Sequence, residues 1–263
     1  KYMKIKFSLN KNDNVKKNFK QQIIKILKYK AKNFPQNLDS RKLLSPYNPV
    51  IKDLYSLYRL IIDNNRTSVL EYGTGWSTLV MHLALMYNKR KIGNNLFPRC
   101  EKPFHLISLD NEKKFLSISK KRVKKYSKNM NLVKFSFSKV QMTNHNGKYC
   151  TEYKNHPIIN PDFIYIDGPD QWNIKKNSYG FSTGYEDFMP MMSDILKYEH
   201  FLTPGTIVVI DGRTANARFL KVNFQRNWKY SRNEKLDQNY FILDERPLGE
   251  LNKKQLNFYK KKY

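Results

Sequence analysis

The sequence predicts an α/β fold: a Rossmann-like, doubly wound and mostly parallel sheet with helices on both faces. Three observations carry that expectation. Short apolar runs of strand length alternate with amphipathic segments of helical period. The first of those runs passes directly into a two-glycine turn and then a helix. Four of the runs carry an acidic residue at or next to their last position, at the strand ends where open α/β sheets bind their ligands.

The elements follow in order. Residues 1–13 are polar and expected to be loosely held. Val15, Phe19, Ile23, Ile26 and Leu27 recur at helical spacing among lysines, which predicts an amphipathic helix over 15–34 that ends before Pro35. Its apolar stripe suits packing on the main domain or, as the alternative, a peripheral membrane contact. Residues 1–49 thus form a basic N-terminal helical extension and connector. A second amphipathic helix, 50–62, opens the main domain, 50–246. Strands are expected at 68–72, 105–110, 132–137, 162–167 and 206–211, with helices at 77–87, 112–128 and 185–198. The helix at 112–128 is expected to turn Phe115, Ile118 and Val123 inward. Asn146-Gly147 is a two-residue hairpin turn, so a β-hairpin is inserted near 140–153. Residues 228–231 and 239–243 form a closing antiparallel pair, and 247–263 is a basic tail.

Composition bounds the function classes. A chain of 263 residues, 40% hydrophobic and 14% aromatic, can bury a sizeable core, which excludes a disordered chain. No apolar run approaches the roughly 18 residues of a membrane span, and the chain opens without a signal-peptide core. Cys100 and Cys150 are too few for a disulfide framework, so a cytoplasmic setting is expected. His105, His145 and His156 lie near them without the tight spacing of a closed zinc site. The formal net charge of +27 comes from 38 Lys against 11 Arg, with 28 Asn beside them. Lysine and asparagine spread almost everywhere read as coding bias as much as a binding surface, although lysine concentrates in 1–32, 113–128 and 253–262.

The chemistry lies at the strand ends. The first strand runs into Glu71-Tyr-Gly-Thr-Gly-Trp-Ser-Thr-Leu79. Gly73 and Gly75 let the backbone turn sharply and approach a ligand, and Ser77 or Thr78 can cap the next helix. Glu71 suits a ligand ammonium group. Asp110, ending the second strand, can accept both hydroxyls of a ribose or cap the helix that follows. Two later strands end Ile-Asp-Gly, which places Asp167 and Asp211 near each other at the cleft mouth. Arg213 can orient an acidic substrate. Residues 170–184, with Gln171, Trp172, Tyr179 and Phe181, read as a loop covering an acceptor.

On these residues the chain resembles the class I S-adenosylmethionine-dependent methyltransferases, most nearly small-molecule O-methyltransferase-like members with a Glu-Tyr-Gly-Ser-Gly-x-Ser-Thr-Leu turn. The likeness covers roughly 50–243 and includes Ile166-Asp-Gly-Pro169. It implies a seven-stranded sheet with an antiparallel last strand. It implies that Glu71, Gly73, Thr74, Gly75, Ser77 and Thr78 surround S-adenosyl-L-methionine, that Asp110 holds its ribose, and that Asp167 lies near the methyl group. Asp167, with Asp211 and Arg213, would then serve a methyl transfer to a small-molecule or glycan-like acceptor, at oxygen. Cation-dependent relatives hold Mg²⁺ with an Asp after the fourth strand and an Asp-Asn pair after the fifth. Here Asp167 and Asp211 are present, but Gly212 stands where Asn is expected.

Rival readings fit less well. A dinucleotide dehydrogenase needs a third glycine where Thr78 stands and an acid much earlier than Asp110. Base-methylating enzymes carry an Asn/Asp-Pro-Pro-Tyr/Phe or Pro-Cys motif that this chain lacks, so nucleic acid is not the expected acceptor. The remaining alternative is a non-catalytic methyltransferase-like module whose basic tails bind RNA or a membrane surface.

Overall fold

The computed structural model describes residues 2–24, 26, 49–93, 102–127, 129–169 and 191–261. At its centre is a seven-stranded sheet of β1 (Ser68–Tyr72), β2 (His105–Asp110), β3 (Val133–Phe137), β6 (Phe163–Ile166), β7 (Ile207–Asp211), β8 (Trp228–Asn233) and β9 (Gln238–Leu243). The order across the sheet is β3-β2-β1-β6-β7-β9-β8. The pairs from β3 to β7 are parallel, and β9 runs antiparallel to both β7 and β8. The expected mostly parallel α/β sheet, its seven strands and its closing antiparallel pair are all present, an arrangement compatible with a Rossmann-like fold.

β4 (Val140–His145) and β5 (Lys148–Tyr153) form a separate two-stranded hairpin. Asn146 and Gly147 have φ of 49° and 77°, the left-handed pair that a tight hairpin turn requires. The dipeptide therefore marked the insertion correctly.

Strand alternation splits the core in two. Val69, Phe163, Tyr165, Ile207, Val209 and Tyr240 face one side, whereas Leu70, Tyr72, Ile164, Ile166, Val208 and Ile210 face the other. On the first side pack α2 (Ile51–Asp63), α3 (Trp76–Ile92), α4 (Lys113–Tyr126) and α7 (Glu250–Lys260). On the second lie α5 (Asp194–Tyr198) and α6 (Thr214–Asn223). In α4 the buried residues are Leu116, Ser119 and Val123, with Phe115 and Ile118 only half-buried. The inward stripe is thus rotated from the expected one, toward Leu116 and Ser119. Of the expected helix at 185–198, the part before 191 lies outside the described residues. The connector at 35–48 and the loop at 170–184 lie outside them too.

Both termini are bound to the core. The amide groups of Tyr2 and Met3 each donate to Asp244 Oδ1 at 2.6 Å, and Met3 is buried, so the opening residues are not loose. The N-terminal helix α1 (Asn14–Phe19) continues through a wider π-type turn at Lys20–Ile24. Val15, Phe19 and Ile23 are buried in the core, with the Phe19 ring 4.9 Å from Tyr55 and 5.4 Å from Tyr58. Over these residues the apolar stripe meets protein. Among the described residues no helix is long and apolar enough to cross a membrane.

The expected basic tail folds as α7. Leu256, Phe258 and Tyr259 are buried, and the Tyr259 ring lies 4.0 Å from the Arg66 guanidinium carbon. Arg66 is completely buried and donates through Nη1 to Gly205 O at 2.8 Å, while its Nε and Nη2 have no hydrogen-bond partner among the described residues. A buried cation short of acceptors depends on the π face and on nearby Asp162. Tyr259→Ala should therefore destabilise the fold by about 3–5 kcal/mol in urea unfolding, the cost of a large core truncation. A loss under about 1 kcal/mol would show that α7 is an appendage.

Candidate active site

Every sequence-predicted site residue lies at the carboxyl end of the central strands, where β1, β2, β6 and β7 deliver them side by side. Register sets the arrangement. Glu71 pairs with Ser108 on one side and Tyr165 on the other, and Tyr165 pairs with Val209, so these residues share a face. Asp167 follows the last residue of β6, and Asp211 is the last of β7.

The turn after β1 is held from within. Glu71 has no exposed surface and accepts from Ser77 Oγ at 2.5 Å and Thr78 Oγ1 at 2.6 Å. Burial pushes its carboxyl up to about 7, against the hydroxyls that lower it. Its two oxygens thus fix the turn to the following helix. Thr78, rather than Ser77, caps α3, because its Oγ1 accepts from Gly75 N at 3.1 Å. Thr74 Oγ1 lies 3.1 Å from the same hydroxyl.

The two glycines differ in use. Gly73 has φ +90°, and a Cβ there would lie 2.6 Å from Gly168 N. A Cβ on Gly168 would lie 2.5 Å from Gly73 N. The missing side chains let the β1 and β6 turns touch backbone to backbone. At Gly75 a Cβ would meet only Ser77 Oγ at 3.6 Å, so the turn is open there.

Asp110 joins this turn to β2. Thr74 N donates to its Oδ2 and Glu112 N to its Oδ1, both at 2.7 Å, and the residue is 3% exposed. It thus points toward the glycine turn and also restrains the chain entering α4. At the start of α3, the Arg122 guanidinium lies 3.9 Å from the Trp76 ring centroid.

Asp167 lies close enough to Asp211 for its charge to hinder ionisation of Asp211. Half of the Asp167 side chain is exposed (53%), and crowding by protein pushes its carboxyl up to about 6 despite Arg213. Burial raises Asp211 to about 7, with Asp167 as the next cause. Arg213 Nε stands 3.9 Å from Asp167 Oδ1, and its Nη2 donates to Pro169 O at 2.9 Å. Arg213 therefore braces the β6 turn. Gly212 has φ +60°, in the left-handed region where glycine and asparagine are both at home.

Sequence reasoning missed three contributors. Tyr165 donates to Asp211 Oδ2 at 2.7 Å from beneath the cleft. Its place was legible, since alternation along Phe163-Ile-Tyr-Ile puts it on the face of Glu71. Asp53, on the first turn of α2, adds negative charge near Asp167 and Asp211, and Gln238 pairs with Asp211 across β7 and β9. Neither had a local signal, because tertiary packing brings them from 114 and 27 residues away. Among the described residues no three His, Cys, Asp or Glu side chains are placed to hold a metal ion. Asp167 and Asp211 offer two carboxylates without a third protein ligand. Cys150 is buried in the hairpin, and Cys100 lies outside the described residues. A separate hollow of about 610 Å³, lined by Ile5, Phe7, Leu60 and Tyr240 with 231–235, contains no predicted site residue.

Comparison with known proteins finds no family model and no curated protein that matches the chain.

Two predictions follow from this geometry. Gly168→Ala should lower stability by at least about 1–3 kcal/mol, because neither backbone can retreat; a neutral melting curve would disprove the contact. Glu71 and Asp211 titrate near 7 when folded, against ordinary values of 4.5 and 3.8. The folded state thus keeps protons that the unfolded chain releases, so stability should fall as pH rises from about 4 to 7. Asp211→Asn should flatten that decline in thermal melts across this range.

Proposed function

We propose that this chain is an S-adenosylmethionine-dependent methyltransferase with the doubly wound, Rossmann-like architecture of class I enzymes. Its acceptor would be a small or glycan-like molecule, methylated at oxygen. The observation that carries the reading is the bond from Thr74 N to Asp110 Oδ2, which ties an open glycine turn to the acid at the end of the next strand. That pairing suits a nucleoside: the turn at Gly75 leaves room for its body, and a strand-end carboxylate is the usual ribose acceptor.

The bound cofactor would supply an activated methyl group on a positive sulfur. The chain's own residues orient and deprotonate. Asp167, half-exposed and titrating near 6, is the base we assign for the acceptor hydroxyl. Asp211 and Tyr165 fix the floor beneath it, and Arg213 holds the turn that carries it. Thr74, Gly75 and Ser77 line the cofactor side, with Glu71, Gly73 and Thr78 setting the shape of the turn.

The test separates binding from chemistry. Titration calorimetry with S-adenosylhomocysteine should show binding to the natural chain. Asp110→Asn, which keeps the size of the side chain and a carbonyl acceptor for the turn, should weaken it at least tenfold, about 1.4 kcal/mol. Asp167→Asn should bind normally yet lose transfer of labelled methyl groups to a cell extract. Absence of binding by the natural chain would refute the assignment.

A further inference from the structure

Helix α4 carries Lys113, Lys114, Lys120, Lys121, Arg122, Lys124 and Lys125 and not one acidic residue. All six lysines are exposed, whereas Arg122 turns back onto Trp76. At 3.6 residues per turn the lysines fall within a stripe roughly 140° wide, opposite the buried Leu116, Ser119 and Val123. They form three rungs, 113/114, 120/121 and 124/125, spread over about 16 Å at 1.5 Å per residue. Ser117, in the middle of the stripe, is exposed and small.

A helix face that only needed solvation would not be built this way. Lys120–Lys124 and Lys121–Lys125 are like charges one turn apart, which repel. Lys113 and Lys114 sit in the first turn, where the helix dipole disfavours cations. Elsewhere the protein pairs many of its cations: Arg59 with Asp13 and Asp63, Lys197 with Glu152, Arg226 with Glu245, Lys229 with Asp244 and Lys253 with Glu250. Among the described residues none of the α4 lysines has such a partner. Coding bias explains abundant lysine; it does not explain the exclusion of every acid from one face.

We propose that this face binds single-stranded nucleic acid through its phosphates, without sequence preference. The stripe has no exposed apolar side chain to enter a bilayer, as a membrane-surface helix would. Instead Phe137, at the end of edge strand β3, lies 5.0 Å below the Lys113 ammonium and is 38% exposed, an aromatic surface beside the first rung. Cations along a track with an aromatic at its end suit a phosphate backbone with stackable bases. The inference concerns binding, not base modification, and stands independently of methyl transfer.

Fluorescence anisotropy with a labelled 12-nucleotide oligo(U), from 50 to 300 mM salt, tests it on the full chain. Log affinity should fall with log salt at about 0.7 per contacted phosphate, a slope of roughly 3–4 for four to six contacts. The variant K120Q/K121Q/K124Q/K125Q should lose at least tenfold in affinity and reduce the slope, and should melt no lower because repulsion is relieved. A variant of equal charge loss elsewhere, K11Q/K17Q/K20Q/K254Q, should keep most of both. Equal loss in the two variants would overturn the proposal, since net charge alone would then explain binding. Binding to phosphatidylserine vesicles but not to oligo(U) would overturn it in favour of a membrane.

Discussion

The candidate site depends on one contact, the touching backbones of Gly73 and Gly168. Each occupies the space a Cβ would fill on the other, so two strand ends approach more closely than side chains allow. That approach aligns the β1 turn with the β6 turn and sets Asp167 beside the mouth of the glycine bend. Sheet hydrogen bonding alone fixes strand spacing; it does not bring the loops beyond the strands together. The glycine pair supplies that second constraint, and Arg213 reinforces it by bonding Pro169 O from the neighbouring strand end.

Around this contact the acids fall into two kinds. Glu71 is enclosed and engaged by two hydroxyl donors, so its charge is spent on holding the turn, and Asp110 accepts amide donors from the turn and from the chain entering α4. Asp167 remains half open, and Asp211 lies partly covered with Tyr165 under it. A buried carboxylate with good donors is a structural strut. A crowded, accessible one whose ionisation is costly is able to take a proton near neutral pH. The same strand-end position thus yields different chemistry according to what packs around it.

Much of the architecture was legible. Apolar runs and helical stripes located all seven sheet strands, and Asn146-Gly147 announced the hairpin, because these signals are local and periodic. The strand-end acids were legible too, as were the glycines. The purpose of each was not. The two hydroxyl partners of Glu71 and the contact of Gly73 with Gly168 exist only in the folded chain. Asp53 and Gln238 could not be found at all, since α2 and β9 reach the cleft only through packing. The terminal segments misled for a similar reason: their lysines look like loose tails, yet Met3, Phe19 and Tyr259 hold them in the core.

Sequence alone determined the alternation of strands and helices, the glycine turn, the acids at the strand ends and the acid-free lysine stripe of α4. Each follows from residue type and spacing along a few turns or strands of chain. Tertiary structure decided which carboxylates are enclosed and which stay open, which glycine faces a neighbouring loop and which faces space, and which aromatic and amide groups line the cleft floor. Those outcomes turn on distances between segments far apart in the chain, and burial, which sets both proton affinity and access, exists only once they are packed.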